Sequence, residues 1–188
     1  MQKIKVGVLG ATGMVGQRYI YLLKDHPWFE VTYVAASPRS AGKVYKDSVE
    51  NRWLIGSDIP EGVKDLIVQD ANDVNAAKGK CQFVFSALEM DKEAIKALEA
   101  AYAAADIPVV SNASANRWTD DVPMLIPEIN ADHLDIIAKQ KEHHNWNKGF
   151  IAVKPNCSLH FLHLFKLFIK LSKSCCIISS PLTPIKKE

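Results

Sequence analysis

The stretch that decides the fold is Ile4-Lys5-Val6-Gly7-Val8-Leu9-Gly10-Ala11-Thr12-Gly13-Met14-Val15-Gly16. Residues 4–10 are a short apolar run ending in glycine, the pattern of a parallel strand buried on both faces. From residue 13 to 26 the apolar positions Met14, Val15, Ile20, Leu22 and Leu23 fit a helix packed on a sheet, and Pro27 closes it. Phe29–Ala36 is a second β-prone run. Strand, glycine-rich turn, helix and strand make a βαβ unit. The turn has the spacing G-x-x-G-x-x-G, a variant of the dinucleotide-binding fingerprint. Gly10 permits the sharp turn, Gly13 lets a pyrophosphate approach the backbone, and Gly16 lets the helix lie against the strand. The helix N-terminus then offers free N–H groups and a positive dipole end to phosphates. A tight strand–helix turn with no ligand is the plainer alternative.

Outward from this unit, residues 38–64 lack a clean period and read as an excursion with a short element near 51–55. Residues 66–68 read as a short strand and residues 81–88 as another buried strand. Residues 91–105, rich in Ala, Glu, Lys and Leu with Asp91 as N-cap, read as a helix. Residues 108–111 read as a strand, 120–130 as extended chain, 131–141 as an amphipathic helix and 150–154 as a strand. Alternating strands and helices predict an α/β fold: a Rossmann-type, doubly wound, mostly parallel sheet.

The 188 residues are 48% hydrophobic and 23% charged, with a net charge of +2. That composition suits a folded globular chain and argues against a disordered charged tail and against a nucleic-acid partner. The charge is uneven: residues 159–188 hold five lysines and one glutamate, while the first 158 carry 18 basic and 20 acidic residues. No signal-peptide pattern and no long apolar run occur, so a cytoplasmic location and no membrane partner are expected.

The end of the second strand selects the cofactor. An NAD site normally places a carboxylate there for the ribose hydroxyls. This sequence has Ser37-Pro38-Arg39-Ser40-Ala41-Gly42-Lys43 instead, whose cations and hydroxyls suit a 2′-phosphate, so NADP is favoured over NAD. A solvated basic loop is the alternative. Cys157, in Lys154-Pro155-Asn156-Cys157-Ser158, sits at a predicted strand end before a helix, where N–H groups favour thiolate; it reads as a nucleophile or as a small buried cysteine. Cys81 reads as core. Cys175, Cys176, His160 and His163 lack zinc-site spacing, so no metal is expected. His143 and His144 read as surface residues.

Together the glycine loop, the Ser37–Ser40 loop, Ser111-Asn112-Ala113-Ser114-Ala115-Asn116-Arg117, residues 122–130 and Pro155-Asn156-Cys157-Ser158 resemble aspartate-β-semialdehyde dehydrogenases, especially their archaeal and fungal-type branch. The resemblance implies NADP on an N-terminal Rossmann domain. It implies interconversion of aspartate semialdehyde plus phosphate and β-aspartyl phosphate through a cysteine thioester, a step toward lysine, threonine and methionine. It assigns Cys157 as nucleophile, with Asn156 positioning it. Thr12, Gly13, Met14 and Val15 would line the pyrophosphate, flanked by Gly10 and Gly16. Ser37, Arg39 and Ser40 would hold the 2′-phosphate. Ser86, Ala87 and Leu88 would lie along the cofactor, and Arg117 would bind the substrate phosphate. A homo-oligomer is the family habit.

The match ends at Ser158. The family continues into a second domain that supplies a general acid/base histidine. Here thirty more residues follow, with His160, His163, Lys166, Lys170 and Lys173 on one helical stripe and an apolar remainder over 159–171. The expected organisation is therefore residues 1–155 as NADP-binding domain and 156–188 as a truncated, divergent start of an α+β catalytic and dimerisation domain. Two alternatives accompany this reading: an inactive NADP-binding fragment, and a related acyl-phosphate or acyl-CoA reductase such as acetylglutamyl-phosphate or malonyl-CoA reductase.

Overall fold

A computed structural model describes residues 2–126 and 129–154. Six strands form one sheet: β1 (Ile4–Leu9), β2 (Phe29–Ala36), β3 (Gln69–Asp70), β4 (Phe83–Ser86), β5 (Val109–Ser111) and β6 (Ile151–Val153). Their spatial order is β3-β2-β1-β4-β5-β6, and every neighbouring pair is parallel. The chain moves outward from β1 through β2 to β3, then crosses back to β4 on the other side. The topological switch point thus lies between β1 and β4.

Helices cover both faces. On one side α1 (Met14–Leu22) and α5 (Ile136–His144) bury Tyr19, Ile20 and Ile137 against Val6, Val8, Phe83, Phe85 and Val110. On the other, α4 (Lys92–Ala104) buries Ile95, Leu98 and Tyr102 against Leu9, Tyr33, Val84 and Val109. This is why the strands read as continuous apolar runs. Asp91 caps α4 as expected, accepting from the backbone N–H of Glu93 at 2.9 Å and of Ala94 at 3.3 Å.

β2 carries an irregularity that decides which side chains face which layer. Val6 pairs with Val31, but Gly7 pairs with Tyr33, so Thr32 is the extra residue of a bulge. Phe29 and Val31 before it share a face with Val34 and Ala36 after it, while Tyr33 and Ala35 face α4. Thr32 itself turns out to donate its hydroxyl to the Lys80 carbonyl at 2.6 Å.

Several element expectations shift. The expected strand at 66–68 gives only an isolated antiparallel bridge, Val44 to Ile67, and β3 forms at Gln69–Asp70. No element forms at 51–55; the excursion instead holds α2 (Tyr45–Val49) and α3 (Glu61–Lys64). The helix expected over 13–26 stops at Leu22, and the one expected over 131–141 begins as a 3-10 turn before α5. Asn156, Cys157, His160, His163, Cys175, Cys176 and the apolar stretch 159–171 lie outside the described residues, as does the whole expected second unit 156–188.

Candidate cofactor site

The glycine turn is built by close backbone approach. Gly10 adopts φ +74°, and a Cβ there would lie 2.3 Å from the Ala87 carbonyl oxygen. That combination permits only glycine. A Cβ on Gly16 would lie 2.2 Å from the Gly10 carbonyl oxygen and 2.7 Å from Ala11 Cα, so the start of α1 rests directly on the turn.

Two side chains clamp this turn from below. The Tyr45 hydroxyl donates to the Ala11 carbonyl at 2.9 Å, and burial raises its pKa, which keeps it a donor. Gln17, only 1% exposed, donates to the carbonyls of Thr12 at 3.0 Å and Arg52 at 2.7 Å and accepts from Leu54 N–H at 2.8 Å. The 38–64 excursion therefore supports the glycine turn. Sequence reasoning missed both clamps. Gln17 had one available signal, a polar residue on the otherwise apolar inner face of α1.

At the C-terminal ends of β1, β2, β4 and β5 the turn opens into a cleft of about 660 Å³. Gly10, Thr12, Gly13, Met14 and Val15 line one wall. Ser37 and Pro38 form one end, and Ala87, Leu88, Asn112, Ala113, Ser114 and Arg117 the other. Among the described residues no side chain caps α1 at Gly13, and no acid occupies its first turn. Its leading N–H groups are thus available to an anion, and its positive dipole end is uncompensated. Among the described residues, Glu89 is the one acid and Arg117 the one base lining the cleft.

The remaining expected positions lie apart from this lining. Arg39 is exposed on the loop after β2, Ser40 is buried beside it, and Gly16 packs beneath the turn. Asp70 pairs across from Ala36 on β3, but Asn72 engages its Oδ1 through both N–H and Nδ2, each at 2.9 Å. Ser86 is fully buried and donates to Glu99 rather than lining the cleft.

Glu99, 0% exposed, is the largest feature that sequence reasoning missed. Its Oε1 accepts from the hydroxyls of Ser86 and Ser111, both at 2.6 Å, and its Oε2 accepts from Asn116 Nδ2 at 2.9 Å. Burial pushes its carboxyl above the ordinary glutamate range, while the bonds from Ser111, Ser86 and Asn116 pull it back. The signal lay in its position: residues 95, 98, 99 and 102 form the inward stripe of α4, and one of them is an acid.

Arg117 spans two segments. Its Nε donates to the Lys154 carbonyl at 3.1 Å and its Nη2 to the Asn112 carbonyl at 3.2 Å. Two of its five N–H donors thus hold the end of β6 to the cleft wall. Elsewhere, His143 Nδ1 and His144 Nε2 converge on Asp121 Oδ2 at 2.7 and 2.8 Å, a pairing the surface reading of these histidines did not foresee. Cys81 is buried as expected, and burial pushes its thiol up to about 12. Among the described residues no helix is long and apolar enough to cross a membrane.

A six-stranded parallel sheet of this order, with a glycine turn and an uncapped helix N-terminus at the switch point, defines a Rossmann-type dinucleotide-binding domain. The family model for the NAD binding domain of semialdehyde dehydrogenase matches residues 5–137, and the chain belongs to that family. It is 44% identical over 158 residues to an aspartate-semialdehyde dehydrogenase of Archaeoglobus fulgidus, spanning 83% of this chain and 43% of that protein. A Methanothermobacter thermautotrophicus relative of the same name is 47% identical over 155 residues, spanning 82% and 42%. The crystal structure of Candida albicans aspartate semialdehyde dehydrogenase with NADP superposes with a TM-score of 0.67 at 38% identity, covering 81% of this chain and 42% of that one. The chain therefore spans less than half the length of these relatives.

Proposed function

We propose that residues 1–155 form the NADP-binding domain of an aspartate-semialdehyde dehydrogenase, and that residues 156–188 begin a second domain. The reaction assigned is the interconversion of L-aspartate 4-semialdehyde plus phosphate and 4-phospho-L-aspartate. The observation that carries this reading is the cleft at the switch point, with the uncapped start of α1 on one wall and no acid at the Ser37 end. The backbone of Thr12, Gly13, Met14 and Val15 fits a pyrophosphate, and Gly10 and Gly16 shape that turn. Ser37, Arg39 and Ser40 are assigned to the 2′-phosphate, and Ala87 and Leu88 to the rest of the cofactor, with Ser86 behind them. NADP, when bound, supplies the hydride chemistry.

Arg117 is assigned to the substrate phosphate, for which a guanidinium fork is geometrically suited. Cys157 is assigned as nucleophile and Asn156 as its positioning neighbour, on the Pro155-Asn156-Cys157-Ser158 motif. A cytoplasmic location and self-association belong to the same reading. The test is to purify the full chain and measure phosphate- and NADP-dependent oxidation of aspartate semialdehyde, with size-exclusion chromatography on the same preparation. Turnover that disappears in Cys157→Ala supports the assignment. NADP binding without turnover assigns the chain a binding role alone, and turnover of malonyl-CoA in place of the semialdehyde moves it to the acyl-CoA reductases.

A further inference from the structure

We propose that Glu99 is the positioning residue for one half of the cofactor cleft, the half that receives the nicotinamide end, and that it has no part in holding the adenosine end. The proposal rests on the NADP reading above. The topology divides the cleft. The ligand of a sheet of this order lies across the switch point, with its adenosine half over the end of β2 and its other half over the ends of β4 and β5.

Among the described residues, Glu99 bonds on the second side alone. Each of its three partners immediately precedes a residue that lines the cleft. Ser86 precedes Ala87, Ser111 precedes Asn112, and Asn116 precedes Arg117. The network is continuous with the backbone of that wall: Asn112 N–H donates to the Ser86 carbonyl at 2.9 Å, and Ala113 N–H donates to Ser111 Oγ at 3.0 Å. Asn116 is held in one orientation, because its Oδ1 accepts from the Thr119 hydroxyl at 3.1 Å while its Nδ2 faces Glu99. One buried carboxylate thus ties two strand ends and the loop carrying Arg117 into a single unit. Among the described residues, its partners Ser86, Ser111 and Asn116 all lie outside the glycine turn and the Ser37 end.

A carboxylate is needed because it accepts at both oxygens. In Glu99→Gln the side chain keeps its size, but its amide turns donors toward donors on one side of the network. The wall over β4 and β5 loses its fixed geometry while the adenosine end is untouched.

The experiment titrates the full chain and Glu99→Gln with NADP and with adenosine 2′,5′-bisphosphate, which carries only the adenosine half. Titrations are run well below the melting temperature of each protein. The expected result is a loss of about tenfold in NADP affinity with less than about a twofold change for the bisphosphate, the scale of one lost hydrogen bond. Asn116→Ala, which keeps the carboxylate and removes one donor, should shift the same ratio in the same direction by less. A purely structural role moves both ligands together or neither, and either outcome overturns the proposal. So does unfolding of both variants, which makes Glu99 a strut of the fold alone. If the unaltered chain binds neither ligand, the cofactor reading itself fails and this assignment goes with it.

Discussion

Two glycines of the turn, Gly13 and Gly16, make opposite predictions. In Gly16→Ala the new methyl would lie 2.2 Å from the Gly10 carbonyl oxygen, 2.7 Å from Ala11 Cα and 2.8 Å from the Gly10 carbonyl carbon. All three are backbone atoms, so no side chain can swing away and the start of α1 must lift off the turn. Overpacking of this kind costs about 3 kcal/mol. Alanine in a helix recovers about 1 kcal/mol relative to glycine. The net loss is about 2 kcal/mol, a fall of roughly 4–8 °C in melting temperature for a chain of this size. In Gly13→Ala the nearest atom is the Gly10 carbonyl oxygen at 3.4 Å, and the backbone angles, φ −79° and ψ 166°, suit any residue. Loss of the N-cap preference, about 0.5–1 kcal/mol, is offset by a stiffer unfolded chain, about 0.4–1 kcal/mol. The fold should be unaffected. At the pyrophosphate position proposed above, however, the methyl stands in the way of the phosphates, and losing one charge-assisted bond should weaken NADP by roughly 10-fold to 100-fold. Thermal melts followed by circular dichroism and calorimetric titration with NADP measure both quantities. A Gly16→Ala protein as stable as the parent, or a Gly13→Ala protein that binds NADP normally, refutes the account of the turn.

Other substitutions address separate parts of the account. Arg39→Ala should weaken NADP much more than NAD in parallel titrations, and equal losses would remove Arg39 from the 2′-phosphate site. Tyr45→Phe deletes the buried bond to the Ala11 carbonyl and should cost about 1–2 kcal/mol in chemical denaturation; no loss would mean that the turn needs no clamp. For Asp121, burial raises the carboxyl's pKa, but the bonds from His143 and His144 outweigh it, so the net shift is downward. A lowered folded-state pKa contributes stability that is present above the unfolded value of about 3.9 and is lost as pH falls through the folded one. Asp121→Asn should therefore destabilise the chain near neutral pH and lose that effect in strong acid, as read from melts across pH; a pH-independent difference would contradict the pairing.

Much of this arrangement is legible locally. The glycine spacing, the apolar runs of β1, β2 and β4 and the Asp91 cap all depend on near neighbours in the chain, and each appears where the residues indicate. The five-residue α2 offers too little length for a helical period. The bulge at Thr32 shows only in the pairing of β2 with β1, because its consequence is a change of face rather than of residue type. Glu99 and Gln17 depend on tertiary partners: two serines at strand ends for one, the 52–54 backbone for the other. In an Ala-, Glu- and Lys-rich helix nothing local distinguishes a buried glutamate from a solvated one except its place in the stripe. The convergence of His143 and His144 on Asp121 was hidden for the same reason, since the carboxylate comes from a segment about twenty residues earlier.

The central claim is that this chain carries an NADP site at the switch point of its sheet. Calorimetric titration of the full chain with NADP and with NAD tests it most directly. The account predicts saturable one-to-one binding of NADP, at least about tenfold tighter than NAD, a difference of about 1.4 kcal/mol. Absence of NADP binding, or equal or tighter binding of NAD, would contradict it.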